Sequence, residues 1–238
     1  MYAKHLIFMG FLATGCSHNV YSPPARLSAL QGPEAIGAGQ TAVAGEVAGL
    51  GSFGADVVGF GARGRHGLTD EVELQAEAGL VSFDDSEAAD TDQSPYIGSA
   101  RVGTKWSIGG LGHHLALTGG LGGGVHAGGG FAAADLGFVA GFQNRYVVPF
   151  YAMEGGVSLP IAASAVDTSR EDEEPGTHTD TPVTTFSVRT TMGVRVPFTL
   201  GWDAPGAFAV GVQHVLLYDT EGESDAWAGP AVQFEAGF

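Results

Sequence analysis

His178 and Asp180 stand two residues apart in one polar stretch, and Asp84 and Asp85 adjoin in another. An imidazole oriented by a carboxylate can take a proton from water, and a second acidic pair could hold that water, so these four residues contain the parts of a hydrolytic site. Ser107 lies near His113 and His114 in the chain; these two, with His126 and His214, could each serve a serine nucleophile if an acid met them on the same face. A histidine inside an acidic loop is ordinarily just solvated. No catalytic residue is assigned, and no cofactor is implied.

Acidic side chains gather in three connections: Asp84 to Asp92, Asp167 to Asp180 and Asp219 to Asp225, with Arg170 the one cation among them. Oxygen-rich clusters of this kind can take Ca²⁺ or Mg²⁺, although none follows the spaced calcium-loop pattern, and the plainer expectation is a solvated surface. No metal ligand is assigned; divalent cations are the partner such loops would recruit. The formal net charge of −16 excludes a nucleic-acid surface, which needs clustered Lys and Arg.

The elements that position these residues are strands. From Thr184 to Phe198, Phe186, Val188, Met192, Val194, Val196 and Phe198 share one parity, and Thr185, Ser187, Arg189, Thr191, Gly193 and Arg195 share the other. Side chains alternate across a strand, so one face is apolar and the other carries two cations. A soluble sandwich would bury the apolar face and wet the arginines; a membrane-spanning barrel turns the apolar face to lipid and encloses the arginines. The same alternation recurs in nine further segments, starting near Gln40, Ala55, Val72, Tyr96, His113, Ala132, Val147, Ala207 and Val232. The first two are the faintest, which leaves eight strands as the alternative to ten.

Connections supply a second regularity. Those after the second, fourth and sixth segments are tight (His66–Asp70, Gly109–Gly112, Asn144–Arg145), the one after the eighth is moderate (Thr199–Pro205), and the three acidic ones all fall on the other side. An up-and-down barrel with both ends on one rim requires this parity. The expected fold is therefore all-β: a closed antiparallel up-and-down transmembrane barrel. Its lumen would collect Glu46, Arg63, Arg65, Glu71, Glu73, Glu77, Arg101, Lys105, Asp135, Glu154, Arg189, Arg195 and Glu235. Their signs nearly balance, which points to a salt-bridge and water network filling the barrel, with a narrow ion path as the alternative.

The amino terminus begins with Lys4 and His5, continues through the apolar run Leu6–Ala13, and reaches Thr14, Gly15 and Cys16, the single cysteine of the chain. That is the layout of an export signal, too short in its apolar part to span a bilayer as a helix. Residues 16–38, with Pro23, Pro24 and Pro33 and no sustained period, read as a flexible periplasmic tether. The expected division is a signal peptide over 1–15, the tether over 16–38 and the barrel over 39–238.

With the signal, the alternating strands and a last strand ending in Phe238, the chain resembles small bacterial outer-membrane β-barrel proteins over roughly Gly39–Phe238. The resemblance implies an outer-membrane location, membrane lipids as neighbours and recognition of the last aromatic strand by the barrel-assembly machinery. The stretch before Cys16 resembles a bacterial lipoprotein signal and implies acylation of Cys16; an ordinary signal peptide is the alternative. The His178–Asp180 and Asp84–Asp85 pairs loosely resemble those of the ten-stranded omptin proteases, but here His precedes Asp and the loops are short. The function expected is non-enzymatic, structural or surface-interacting. A porin-like passive channel, a surface hydrolase and a soluble sandwich lipoprotein are the alternatives.

Overall fold

The computed structural model describes residues 21–26, 28–52, 55–85, 96–167, 169, 176–200 and 204–238. Ten antiparallel strands of 12 to 15 residues close into one barrel. In chain order they are β1 (Thr41–Ser52), β2 (Ala55–Gly67), β3 (Val72–Asp85), β4 (Tyr96–Ser107), β5 (Leu115–His126), β6 (Gly129–Gly141), β7 (Val148–Ile161), β10 (Thr185–Thr199), β11 (Pro205–Asp219) and β12 (Ser224–Gly237). The two-residue strands β8 (Val166–Asp167) and β9 (Thr179–Asp180) pair with each other in the connection between β7 and β10. Each barrel strand pairs with its successor, and β1 closes on β12 from Ala42↔Gly237 to Gly51↔Ala228. Ten strands form, not eight, because β1 and β2 pair along their whole length despite their faint pattern.

Alternation sets the two faces. Val102, Leu121, Leu136 and Met192 are exposed on the outside, while Arg63, Gln75, Arg101, Lys105 and Arg189 are buried inside. Val215 and Leu217, which blur the pattern of β11, turn inward and are buried near the acidic-loop end. The last strand begins at Ser224, earlier than its alternation suggests, because Pro230 and Gly229 interrupt the sequence pattern without interrupting the pairing with β11. Outward aromatics sit toward both ends: Trp106, Phe142, Tyr146 and Phe234 near the tight-turn rim, and Tyr96, Phe186 and Tyr218 near the loop rim.

The segment expected as a tether is not one over its described part. Residues 21–26 and 28–38 run through the lumen. Tyr21 forms a parallel bridge to Val183 at the loop rim, Ser22 N–H donates to Thr185 Oγ1 at 3.0 Å, and at the opposite rim Gly39 N–H donates to Gly67 O at 2.8 Å. Between those ends Ser22, Arg26, Ser28, Leu30 and Gln31 are all buried. The proline-broken pattern reads as irregular backbone, and irregular backbone is what the segment has; the carbonyls of Pro23, Arg26, Ser28, Leu30, Gly32 and Glu34 accept hydrogen bonds from wall side chains. The export signal over 1–15 and Cys16 lie outside the described residues.

Candidate functional site: the occupied lumen

Room for the segment comes from small side chains. Ala48 on β1, Ala152 on β7, Ala209 on β11 and Ala231 on β12 are buried in the lumen, and with Val139 and Phe150 they enclose Ala29 and Leu30 as an apolar cluster. Gly211 belongs to the same wall, where a Cβ would stand 2.9 Å from Leu30 Cδ2. A barrel of this size outgrows what its own wall side chains can fill, and the segment takes the remainder.

The opposite wall, on β2, β3 and β4, is charged. Toward the tight-turn rim, Glu73 is a hub. Its oxygens accept from Arg65 Nε and Nη2, each at 2.8 Å, from Gln75 Nε2 at 2.8 Å and from the Ile36 N–H at 3.1 Å, and Lys105 Nζ lies 3.2 Å away. Arg65 also reaches Glu235 at 2.7 Å, Arg195 bridges Glu235 at 2.8 Å and Glu34 at 2.7 Å, and Lys105 donates to the carbonyls of Gly32 and Glu34.

Toward the loop rim, Arg26 from the segment lies 3.1 Å from Glu77 and 2.9 Å from Glu154. Arg189 binds Glu154 at 3.0 Å and donates to the Arg26 carbonyl, while Arg101 bridges Glu77 at 3.1 Å and Asp135 at 2.6 Å. Arg63 holds Glu46 and Glu77 at 3.3 and 3.2 Å and donates to the carbonyls of Ser28 and Leu30. Ser28 Oγ completes the set, donating to Glu46 at 2.7 Å.

Among the described residues seven cations and seven carboxylates meet in this network, so it is neutral and the formal charge of −16 belongs to residues outside it. The sequence placed every wall member correctly but one: Glu71 is exposed in the turn before β3. It missed the two charges contributed from the lumenal segment, Arg26 and Glu34. Two small spaces remain beside Arg26, one lined by Asp135, Glu154 and Ser187 and one by Glu46, Glu77 and Ser99, each about 10 Å³. That is room for roughly one water apiece.

Ser107 and the histidines at 113, 114, 126 and 214 are each placed by local contacts. Ser107 Oγ and His113 Nδ1 are 2.9 Å apart, but Ser107 is fully buried, so the pair ties down the Gly109–Leu111 turn and offers no nucleophile to a substrate. His114 stacks on Phe142 at 5.6 Å, His126 Nδ1 accepts from the Gly128 N–H, and His214 points outward opposite Thr190. The side chains of Asp84 and Asp85, and residues Glu87, Asp90, Asp92 and 171–174, lie outside the described residues. Among the described residues no three His, Cys, Asp or Glu come together as a metal cluster.

Several loop carboxylates are used by their own turns. Asp219 Oδ1 accepts from the N–H groups of Glu221 and Glu223, and Asp167 accepts from those of Ser169 and Gly176. The Ser169 side chain first, then these N–H groups, hold the Asp167 carboxyl below the ordinary carboxylate range. A depressed carboxyl stabilises the structure it serves above the ordinary range and ceases to do so as pH falls through its lowered value. Acidification from neutral pH to below that value is therefore expected to loosen the β8–β9 connection while the barrel stays closed, measured as faster protease cleavage within 162–184. Unchanged cleavage would remove Asp167 as the organiser.

No family model and no curated protein matches the chain. Among solved structures it is similar to the N-terminal β-barrel domain of Pseudomonas aeruginosa OprF, at 13% identity and TM-score 0.36 over 83% of this chain and 97% of that one. It is similar also to the β-domain of the Bordetella autotransporter Brka, at 12% and 0.45 over 84% and 97%, and to a bacterial polysaccharide outer membrane secretin, at 9% and 0.35 over 84% and 97%. Likeness this distant carries no functional assignment, and function is read from the barrel's own residues.

Proposed function

We propose that this chain is an outer-membrane β-barrel held shut by its own amino-terminal segment, with a structural or surface-interaction role in the envelope. The observation that carries the reading is the occupied lumen: an apolar outer face encloses a charge-neutral interior in which Arg26, Leu30 and Gln31 of the segment are buried. Strands of 12 to 15 residues, tilted as in other barrels, reach roughly 30 Å, enough for a bilayer core. Exposed large apolar side chains circle the barrel, a surface far beyond what soluble monomers leave wet.

In this reading the tight-turn rim, where β1 begins and β12 ends, is periplasmic, and the acidic connections face outward. Phe238 and the other aromatics of the last strand are offered to the barrel-assembly machinery, residues 1–15 direct export, and Cys16 is a site for acylation. The outward acidic loops suit divalent cations or cationic partners. A passive channel is disfavoured because a conducting path would have to pass Arg26, Leu30 and Glu34.

The test is planar-bilayer recording of the full-length protein, folded in detergent and verified by heat-modifiable migration. Silence in high salt is the expected result. Steady unitary conductance from the unmodified chain would overturn the closed-barrel reading and restore the channel.

A further inference from the structure

We propose that the lumen is a peptide-binding site that reads a segment of the pattern cation, apolar, carboxylate at four-residue spacing, and that residues 21–36 are its resident ligand. This deepens the closed-barrel reading and rests on it.

Three positions of the segment, Arg26, Leu30 and Glu34, meet three different environments of the wall. Toward the loop rim the wall carries Arg63, Arg101 and Arg189 against Glu46, Glu77, Asp135 and Glu154, one negative charge in excess. Arg26 enters there, on Glu77 and Glu154. Toward the tight-turn rim the wall carries Arg65, Lys105 and Arg195 against Glu73 and Glu235, one positive charge in excess. Glu34 enters there, on Arg195.

Leu30 stands between the two, with no exposed surface, in the apolar waist of Ala48, Phe150, Ala152, Ala209 and Ala231. The wall thus presents two opposite residual charges flanking an apolar pocket, and the segment supplies the complement in one orientation only. A reversed segment would set Glu34 against the acidic half and Arg26 against the basic half, placing like charges together in a dry interior.

The segment is held as a ligand is held. Apart from the bridge of Tyr21 to Val183 it adds no strand to the barrel, whose ten strands already pair with one another. Wall side chains grip its backbone instead: Arg63 on the Ser28 and Leu30 carbonyls, Arg189 on that of Arg26, and Lys105 on those of Gly32 and Glu34. These contacts hold the segment's carbonyls at a fixed depth and leave barrel closure to the strands. A segment from another copy, or another peptide with the same three-point pattern, meets the same wall.

The experiment keeps the natural sequence of both site and ligand. A specific protease site is inserted between Ala38 and Gly39, which are exposed at the tight-turn rim. The full chain is folded in detergent, the site is cut, and excess fluorescent peptide of residues 21–36 is added.

The expected result is that the cut barrel stays heat-modifiable and takes up the peptide, read as a rise in anisotropy, while the uncut barrel takes up none. A peptide with Arg26 and Glu34 exchanged should bind at least tenfold more weakly. A cut barrel that remains folded and takes up neither peptide, or takes up both equally, overturns the charge-coded site. Unfolding of the barrel upon cutting also overturns it, since the segment would then be part of the fold itself. The silence of the uncut protein in bilayers is read separately, so the closed-barrel reading can survive any of these results.

Discussion

Arginine introduced at position 102 and arginine removed from position 101 are expected to damage the protein for opposite reasons. Val102 is 65% exposed on the outside of β4, near its middle, and Arg101 beside it is 2% exposed in the lumen. If the outside faces hydrocarbon, Val102→Arg places a cation against lipid near the midplane, at a cost of about 2–4 kcal/mol. In a water-facing sheet the same substitution would be nearly neutral.

Arg101→Met leaves Asp135 and part of the Glu77 interaction without a cation in a closed interior, which costs about 3–5 kcal/mol. Both effects are measured by reversible urea unfolding in phospholipid vesicles, with Val102→Leu as the control for shape. The informative outcome is the pair: a large loss from Arg101→Met with none from Val102→Arg would mean a charged core inside a water-soluble barrel, and the membrane reading would fail.

Adjacent residues with opposite needs are also why so much of this fold could be read from sequence. Arg189 and Val188, Lys105 and Trp106, and Glu235 and Phe234 each announce the wall they belong to by parity alone, and the tight and acidic connections alternate as the two rims demand. Parity is a local property, visible in a short window. The lumenal segment has no such signature, because its order is imposed by partners 128 residues away at Glu154 and 161 away at Arg195.

A signal was nonetheless present on the wall. Alanines stand at several inward positions of β1, β11 and β12 (Ala42, Ala44, Ala48, Ala207, Ala209, Ala231), too small to fill a ten-stranded lumen at that level. Inward positions that fail to fill the space require another occupant, and the Arg26–Leu30–Glu34 spacing is the only upstream stretch that matches both the charge and the apolar gap. Val215 and Leu217 were ambiguous for a related reason. They point inward near the loop rim, where an apolar lumen position and an apolar outer-face position look alike one residue at a time.

The carboxylate of Glu73 is where the network should prove most fragile. It is fully buried and receives Arg65 through two nitrogens, Gln75, the Ile36 N–H and Lys105. Glu73→Gln keeps the shape but removes the charge and turns an NH₂ group toward donors, so the loss is expected to be about 3–5 kcal/mol. Arg65 retains Glu235, whereas Lys105 keeps only the Gly32 and Glu34 carbonyls as direct partners and becomes a buried ammonium without its carboxylate. Most of the cost should therefore reside at Lys105, and removing that charge should return part of it.

A double-mutant cycle of Glu73→Gln and Lys105→Met in vesicle unfolding should give a coupling of about 1–3 kcal/mol, with the double variant more stable than Glu73→Gln alone. Strict additivity would show that Lys105 draws its stability from the backbone carbonyls of the lumenal segment and not from Glu73. The same cycle probes the segment, because Glu73 also binds the Ile36 N–H. Arg26 is buried toward the loop rim, and trypsin reaches it only when the segment leaves the lumen, so faster cutting there in Glu73→Gln than in the parent would show that the grip at the tight-turn end, before the chain joins β1, holds the whole segment in place.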